Sequence, residues 1–114
     1  IYGGLGADIL SGGSGWDFFH YSNLSDGGAD EWITDFTLGW NGDVLHLSEL
    51  AWNNPGFVAD ADHLSFTQVD SNSDGFIDYT SVGVDLDGGV DNFVTLVNLE
   101  GVSMSLADSA NLVV

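Results

Sequence analysis

This chain of 114 residues has no cysteine, no lysine and no arginine. Without cysteine, neither disulfides nor thiol chemistry contribute to the fold or to activity. Without lysine or arginine, its 18 acidic residues give a formal net charge of −18. Such a surface repels nucleic acid, anionic membranes and acidic substrates, so cations are the expected partners. No apolar run approaches the length of a membrane-spanning helix, and membrane insertion is not expected.

The acidic residues are mainly aspartate, with 15 Asp against 3 Glu, and they accompany 16 glycines. Asp and Gly together favour tight turns and short-armed metal ligands. A halophilic surface is the alternative, but the aspartates fall in Gly-rich turns and are not spread evenly. Because the chain contains no lysine or arginine to offset its negative charge, we expect folding to depend on bound metal.

Two nine-residue units stand in tandem at residues 3–11 and 12–20, with the sequences GGLGADILS and GGSGWDFFH. Both follow the pattern G-G-x-G-x-D-x-U-x, in which U is a large apolar residue. Glycine permits positive φ and lets the turn aim its carbonyl oxygens inward, and the last three residues predict a short strand. Carbonyls and a carboxylate form the oxygen cage that calcium prefers. The predicted ligands are Gly4, Gly6, Asp8, Gly13, Gly15 and Asp17.

A second, degenerate coil is predicted to reach about residue 50. Asp26 follows Asp8, and Asp35 follows Asp17, by the length of two nonapeptides. If two units make one coil, Asp26 and Asp35 lie under the first coil and complete its calcium sites. Asp30, Asp35 and Asp43 form a further candidate group around one turn. Solvated loop carboxylates are the alternative interpretation of that group.

The segment from Asp70 to Asp78 follows the ligand spacing of an EF-hand loop. Ser81 replaces the bidentate glutamate, and the flanks alternate as strands, so an EF-hand module is excluded. Two interpretations of the segment remain: a calcium-binding loop on a hairpin, and an Asx turn that binds no ion. The candidate ligands are the side chains of Asp70, Asn72, Asp74 and Asp78 and the carbonyl of Phe76. Asp85, Asp87 and Asp91 are expected to form a hairpin turn, with calcium binding as the alternative.

Period-two patterns dominate and no long amphipathic helix is visible, which predicts a single all-β domain. We expect a calcium-binding parallel β-roll end at residues 1–20 that continues into a hairpin-rich cap over residues 51–114. The cap has hairpin arms on either side of the Asp70 segment and a strand at residues 93–99. His20, His46 and His63 are isolated and no G-x-S-x-G occurs, so no enzyme is expected. The four tryptophans are assigned to the core, with a sugar-stacking platform as the alternative.

These motifs resemble the C-terminal region of RTX (repeats-in-toxin) proteins. More narrowly, the chain is similar to the type I secretion C-terminal target domain of large bacterial adhesins. The resemblance rests on the two repeats, on Ile33-Thr34-Asp35-Phe36, on Gly42-Asp43-Val44-Leu45-His46-Leu47-Ser48 and on the short apolar C-terminus. It covers essentially the whole chain, which is expected to be the C-terminal piece of a longer repeat array.

The resemblance implies an uncleaved C-terminal signal that an ABC transporter, its adaptor and an outer-membrane pore recognise. It also implies that the chain leaves a Gram-negative cell unfolded and folds outside on meeting several Ca²⁺ ions, as a monomer. The alternatives are the tail of a secreted hydrolase and a calcium-dependent sugar-binding module. The implied signal residues are Asn111, Leu112, Val113 and Val114.

Overall fold

The computed structural model describes residues 1, 3–4, 8–22, 28, 30–58, 60–86 and 93–114. Within these ranges the chain is rich in short strands and has little helix, which confirms the expectation of a small β-rich domain. The strands are β1 (Ile9–Leu10), β2 (Phe18–His20), β3 (Trp32–Ile33), β4 (Val44–His46), β5 (Leu64–Val69), β6 (Tyr79–Val84), β7 (Val94–Glu100) and β8 (Leu112–Val113). The helices are α1 (Ser48–Asn53) and a 3₁₀ turn (Ser109–Asn111).

The described strands form two sheets. The larger has the order β1-β3-β7-β6-β5, and the smaller has the order β2-β4-β8. In the smaller sheet all pairs are parallel, as are β1-β3 and β3-β7 in the larger one. The hairpin β5-β6 and the pair β6-β7 are antiparallel. The larger sheet is therefore mixed, and the chain passes three times from it to the smaller sheet, between β1 and β2, β3 and β4, and β7 and β8.

The hairpin and the late strand agree with the sequence. β5 and β6 pair from Leu64 opposite Val84 to Val69 opposite Tyr79, and they flank the acidic segment as predicted. β7 begins and ends one residue later than the predicted strand. These elements could be recognised because their apolar residues alternate and their turn is rich in Asp, Asn, Ser and Gly.

One hydrophobic core receives side chains from both sheets. Phe19 of β2 packs on Phe36, which follows β3, with ring centroids 6.0 Å apart. Burial of each such side chain contributes about 1.5–3 kcal/mol. None of the helices in the described ranges has the length and apolar character needed to cross a bilayer. The buried cluster comprises Phe19, Tyr21, Ile33, Phe36, Leu45, Leu47, Leu50, Phe57, Leu64, Val82, Val84, Leu96, Val97, Leu99 and Met104.

The expected stacking period of two nonapeptides is wrong for the coil that follows the repeats. Asp8 hydrogen-bonds to Glu31, 23 residues later, and Asp17 to Asp43, 26 residues later. Residues 21–25 contain no glycine, so the nonapeptide pattern does not continue there. The period of two nonapeptides does hold between Ile1, which precedes the two repeats, and Phe19. Ile1 donates to the Phe18 carbonyl and accepts from the His20 amide, which places Ile1 opposite Phe19.

Candidate metal centre

The repeat glycines adopt the conformation that the motif predicts. Gly4 and Gly13, the second glycine of each unit, have φ of 86° and 82°, and Gly15 has φ of 104°. This left-handed region is open to glycine at little cost. Gly6 and Asp26 lie outside the described residues. The φ values of Gly4, Gly13 and Gly15 thus agree with the motif, and calcium binding by backbone carbonyls at these positions stays a prediction.

The two repeat aspartates present equivalent buried oxygens. The Oδ2 atoms of Asp8 and Asp17 are inaccessible to solvent and have no hydrogen-bond partner. Each lies against the first glycine of its own unit. A Cβ on Gly3 would lie 2.9 Å from Asp8 Oδ2, and one on Gly12 would lie 2.5 Å from Asp17 Oδ2. A buried carboxylate oxygen without a partner is costly, and this chain has no lysine or arginine to compensate it.

Glu31 is the partner carboxylate of Asp8. It is fully buried. Its Oε1 accepts the Asp8 backbone N–H at 2.6 Å, and its Oε2 accepts the Tyr21 hydroxyl at 3.2 Å. The same point beside Gly3 that lies 2.9 Å from Asp8 Oδ2 is 3.2 Å from Glu31 Oε2. The two carboxylates therefore converge on one small space.

Asp43 accepts a hydrogen bond from the Asp17 backbone, as Glu31 does from the Asp8 backbone. It is buried, its Oδ1 accepts the Asp17 backbone N–H at 3.0 Å, and its Oδ2 accepts the Thr37 N–H at 2.9 Å. The backbone contact between Asp17 and Asp43 thus repeats the one between Asp8 and Glu31, one strand further along the chain. Asp43 was a predicted ligand, although in the group with Asp30 and Asp35.

The structure does not bring Asp30, Asp35 and Asp43 together. Asp30 is exposed in a turn. Asp35 accepts hydrogen bonds from the Ser11 hydroxyl at 2.6 Å and from the Gly12 and Gly13 N–H groups at 3.0 and 2.7 Å. The Ser11 hydroxyl is the main cause that lowers the pKa of Asp35, and the two N–H groups add to it. Asp35 therefore caps the turn of the second repeat and does not lie under Asp17 as expected.

The Asp70–Asp78 segment is an exposed turn whose carboxylates bind its own backbone. Asp70 accepts the N–H groups of Asp74 and Gly75, Asp74 accepts that of Phe76, and Asp78 accepts the Ser71 N–H and hydroxyl. The Gly75 N–H is the main cause that lowers the pKa of Asp70. Asn72 Oδ1 also accepts the Asp74 N–H. This is the geometry of an Asx turn, and calcium binding here stays a prediction.

Asp85 is buried just after β6 and donates its N–H to the His63 carbonyl. Asp87 and Asp91 lie outside the described residues, so the predicted turn can be followed only at its first position. His20 and His46 face each other on β2 and β4 with ring centroids 4.6 Å apart. Burial is the main cause that lowers the pKa of His20, and His46 lowers it further.

The predicted signal residues belong to the folded domain. Asn111 is buried, and its Nδ2 donates to the carbonyls of Asp43 at 2.8 Å, Gly39 at 3.2 Å and Thr37 at 3.4 Å. Its Oδ1 accepts the Gly39 N–H at 3.0 Å. Leu112 and Val113 form β8 beside β4, and Val114 follows at the surface. The Asn111 side chain thus holds the turn from Thr37 to Asp43 in place.

The assignment of all tryptophans to the core is wrong. Trp16, Trp40 and Trp52 are 59%, 88% and 87% exposed. Only Trp32 is partly covered, with its ring 4.8 Å from that of Tyr79. Trp16 and Trp40 lie in the loops before β2 and β4, and Trp52 lies on the exposed side of α1.

The donor set of the two aspartate pairs suits a hard cation. All side-chain donors are oxygens, which Ca²⁺ prefers. Within the part of the chain that is described, no three Asp, Glu, His or Cys side chains converge as a ligand group. A site at the first pair would therefore hold the carboxylates of Asp8 and Glu31, a site at Asp17 would hold that carboxylate, and backbone carbonyls would supply the other ligands.

Two comparisons of the sequence with known proteins give no family assignment for this chain. A scan against protein-family models finds none that fits, and a search of curated proteins finds no significant similarity. The RTX resemblance therefore stays a prediction that rests on the motifs themselves.

Proposed function

We propose that this chain is a calcium-dependent folding and secretion module of the RTX type, at the C-terminal end of a secreted or cell-surface bacterial protein. One observation carries the proposal. The equivalent atoms Asp8 Oδ2 and Asp17 Oδ2 are buried without a hydrogen-bond partner. A cation at each position would compensate them, and the chain has no lysine or arginine that could do so.

The strand order supports the end of a parallel β-roll. The pairs β1 and β2, β3 and β4, and β7 and β8 each place one strand in each sheet, in the same order. Parallel pairing then stacks the three pairs, as successive coils of a roll require. The position of Ile1 opposite Phe19 is that of a preceding coil with the nonapeptide period. The hairpin β5-β6 lies at the far edge of the larger sheet and is the proposed cap.

Calcium would stabilise the contact between the first two coils. Without a cation, the carboxylates of Asp8 and Glu31 converge with like charges, and Asp17 Oδ2 is buried without a hydrogen-bond partner. Each site that binds only the folded state adds RT ln(1 + [L]/Kd), about 2.7 kcal/mol at a hundredfold excess of free ion. Sites with the affinity of extracellular calcium modules would be empty in the cytosol and filled outside the cell. The lack of calcium in the cytosol would thereby delay folding until the chain is exported.

Circular dichroism and urea unfolding in calcium and in chelator test this function. We expect a stronger strand signal and a higher urea midpoint in millimolar calcium than in chelator. The double variant Asp8→Asn/Asp17→Asn should lose most of the calcium-dependent rise in midpoint. Asp62→Asn, at an exposed position outside the two pairs, is the matched control and should keep it. Identical spectra and midpoints in calcium and in chelator would contradict the proposal.

Secretion is tested separately with a passenger fused to this chain in a cell that carries a type I export system. Deletion of residues 111–114 should abolish export, because it removes the implied signal. Gly42→Ala leaves residues 111–114 unchanged and weakens the fold, because the new Cβ would clash with the backbone of Thr37 and Leu38, so its export should persist. In the folded chain β8 is paired with β4, and the transporter can therefore read this segment only before folding. Undiminished export after the deletion would count against the secretion role.

A further inference from the structure

Two exposed indoles border a small cleft at one end of the smaller sheet. The cleft has a volume of about 100 Å³ and is lined by Trp16, Trp40, Asn41 and Ala110. Trp16 immediately precedes Asp17, Trp40 and Asn41 are at the tip of the turn before β4, and Ala110 belongs to the 3₁₀ turn before β8. The walls thus come from three successive passes of the chain through the smaller sheet.

The walls of this cleft are held by backbone contacts. Gly39 and Asn41 have φ of 99° and 65°, and Gly42 donates its N–H to the Gly39 carbonyl at 3.0 Å. Asn41 is one of the residue types that tolerate the left-handed region. The Asn111 side chain fixes the base of the same turn. Trp16 rests on Phe18, with ring centroids 5.5 Å apart. Both indoles are therefore presented to solvent by ordered local structure.

The chemistry of the cleft favours an organic cation. Indole faces carry negative electrostatic potential and are the best side-chain partners for cations. The net charge of −18, with no lysine or arginine, also attracts cations over a longer range. Asn41 is the single described lining residue whose side chain accepts hydrogen bonds, and the indole N–H groups only donate, which leaves few hydrogen bonds for a sugar. Pockets for drug-sized ligands have volumes of about 300–1,000 Å³, so this smaller cleft can accommodate only the head group of a ligand.

We propose that the cleft between Trp16 and Trp40 binds the trimethylammonium head of a small organic cation. The methyl groups pack against the two indoles, and the positive charge lies in the field of their faces. A quaternary nitrogen donates no hydrogen bond, so the scarcity of acceptors in the cleft costs it nothing. Calcium prefers oxygen ligands and does not compete for this position. The proposal goes beyond the calcium and secretion roles and does not depend on them.

Titration calorimetry of the whole chain with choline chloride tests the proposal, in saturating calcium and at constant ionic strength. The comparison ligand is the neutral tert-butyl analogue of choline, in which carbon replaces nitrogen. We expect saturable choline binding and at least about tenfold weaker binding of the analogue, which is the effect of roughly 1.4 kcal/mol of cation–π attraction. Trp16→Ala and Trp40→Ala should each weaken choline binding about fivefold or more. Trp52→Ala, equally exposed on α1, is the matched control and should bind as the parent chain does.

Four results would overturn the proposal. The first is no heat of binding with choline, and the second is equal binding of choline and its neutral analogue, which indicates a merely apolar cleft. The third is choline binding that persists in Trp16→Ala and Trp40→Ala, which indicates diffuse attraction to the acidic surface. The fourth is tryptophan-dependent binding of glucose or galactose without choline binding, which indicates a sugar platform. The comparison of the two ligands uses the unaltered chain and stands even if a variant fails to fold.

Discussion

The first glycine of each repeat makes room for a carboxylate. At Gly12 a Cβ would lie 2.5 Å from Asp17 Oδ2 and 2.7 Å from its Cγ, whereas at Gly13 there is open space and φ is +82°. The two neighbouring glycines are therefore needed for different reasons. Gly12 serves the position of the Asp17 side chain, and Gly13 serves the path of the backbone.

Gly12→Ala should reduce the calcium-dependent stabilisation, because the new methyl group displaces the Asp17 carboxylate. We expect a loss of about 1–3 kcal/mol in the free energy of unfolding in calcium and a smaller loss in chelator. Gly13→Ala should cost about 1–2 kcal/mol in both conditions, since its effect is backbone strain. Urea unfolding of both variants, with and without calcium, checks this difference. An equal loss for Gly12→Ala in both conditions would show that Asp17 binds no ion.

Asn111 closes the turn before β4 with four side-chain hydrogen bonds to backbone groups. Asn111→Ala should lower the free energy of unfolding by about 2–4 kcal/mol, because buried backbone groups lose their partner. Asn53→Ala, which removes one hydrogen bond at an exposed position, should cost less than about 1 kcal/mol. Denaturant unfolding measures both. If Asn111→Ala lowered the free energy of unfolding as little as Asn53→Ala does, water would be replacing the hydrogen bonds of the Asn111 side chain.

The sequence predicted Asp8, Asp17 and Asp43 as candidate ligands, but it did not predict Glu31 beside Asp8. Asp8 and Asp17 belong to a contiguous motif, so nine residues suffice to recognise them. Glu31 precedes the short strand β3 as Asp8 precedes β1, and this shared position was the available signal. The structural role of Asn111 could not be predicted, because its partner Asp43 is 68 residues away. Hydrogen bonds over such separations depend on the finished fold and not on local pattern.

At the scale of elements, local pairs were predictable and distant ones were not. The hairpin β5-β6 is formed by neighbours in sequence that are joined by a turn of suitable composition. The pairs β3-β7 and β4-β8 join two-residue or three-residue strands to segments more than sixty residues later. Strands this short carry no periodicity that could specify a partner. Their register follows from burial of Ile33 and Leu45 in the common core.

Asp35 links the turn between β1 and β2 to the end of β3, and its ionisation should control that link. Its pKa is lowered in the folded chain, so it contributes stability above its unfolded pKa and loses it as pH falls through the lower folded value. Asp35→Asn should therefore be less stable than the parent chain at neutral pH. The difference should shrink once pH drops below about 4. Urea unfolding of both chains from neutral to acidic pH measures it, and a constant difference would contradict this assignment.

At the scale of the whole molecule, the net charge of −18 opposes the compact state. Sodium chloride screens this repulsion, with a Debye length of about 30 Å at 0.01 M and about 10 Å at 0.1 M. In chelator, the melting temperature should therefore rise with NaCl over this range. In saturating calcium the rise should be much smaller, because bound ions already neutralise the buried carboxylates. A halophilic surface predicts instead that NaCl alone restores full stability, and a thermal melt series in both buffers separates the two.

The hydrogen bonds from Asn111 to the turn before β4 also set an order for folding during synthesis. Asn111 is 68 residues after Asp43, so the smaller sheet cannot be completed until that later segment has been translated. A ribosome adds about 5–20 residues per second, so the turn before β4 waits roughly 3–14 s for its partner. The parallel pair β4-β8 should therefore form late, after the contacts within the hairpin β5-β6 are available.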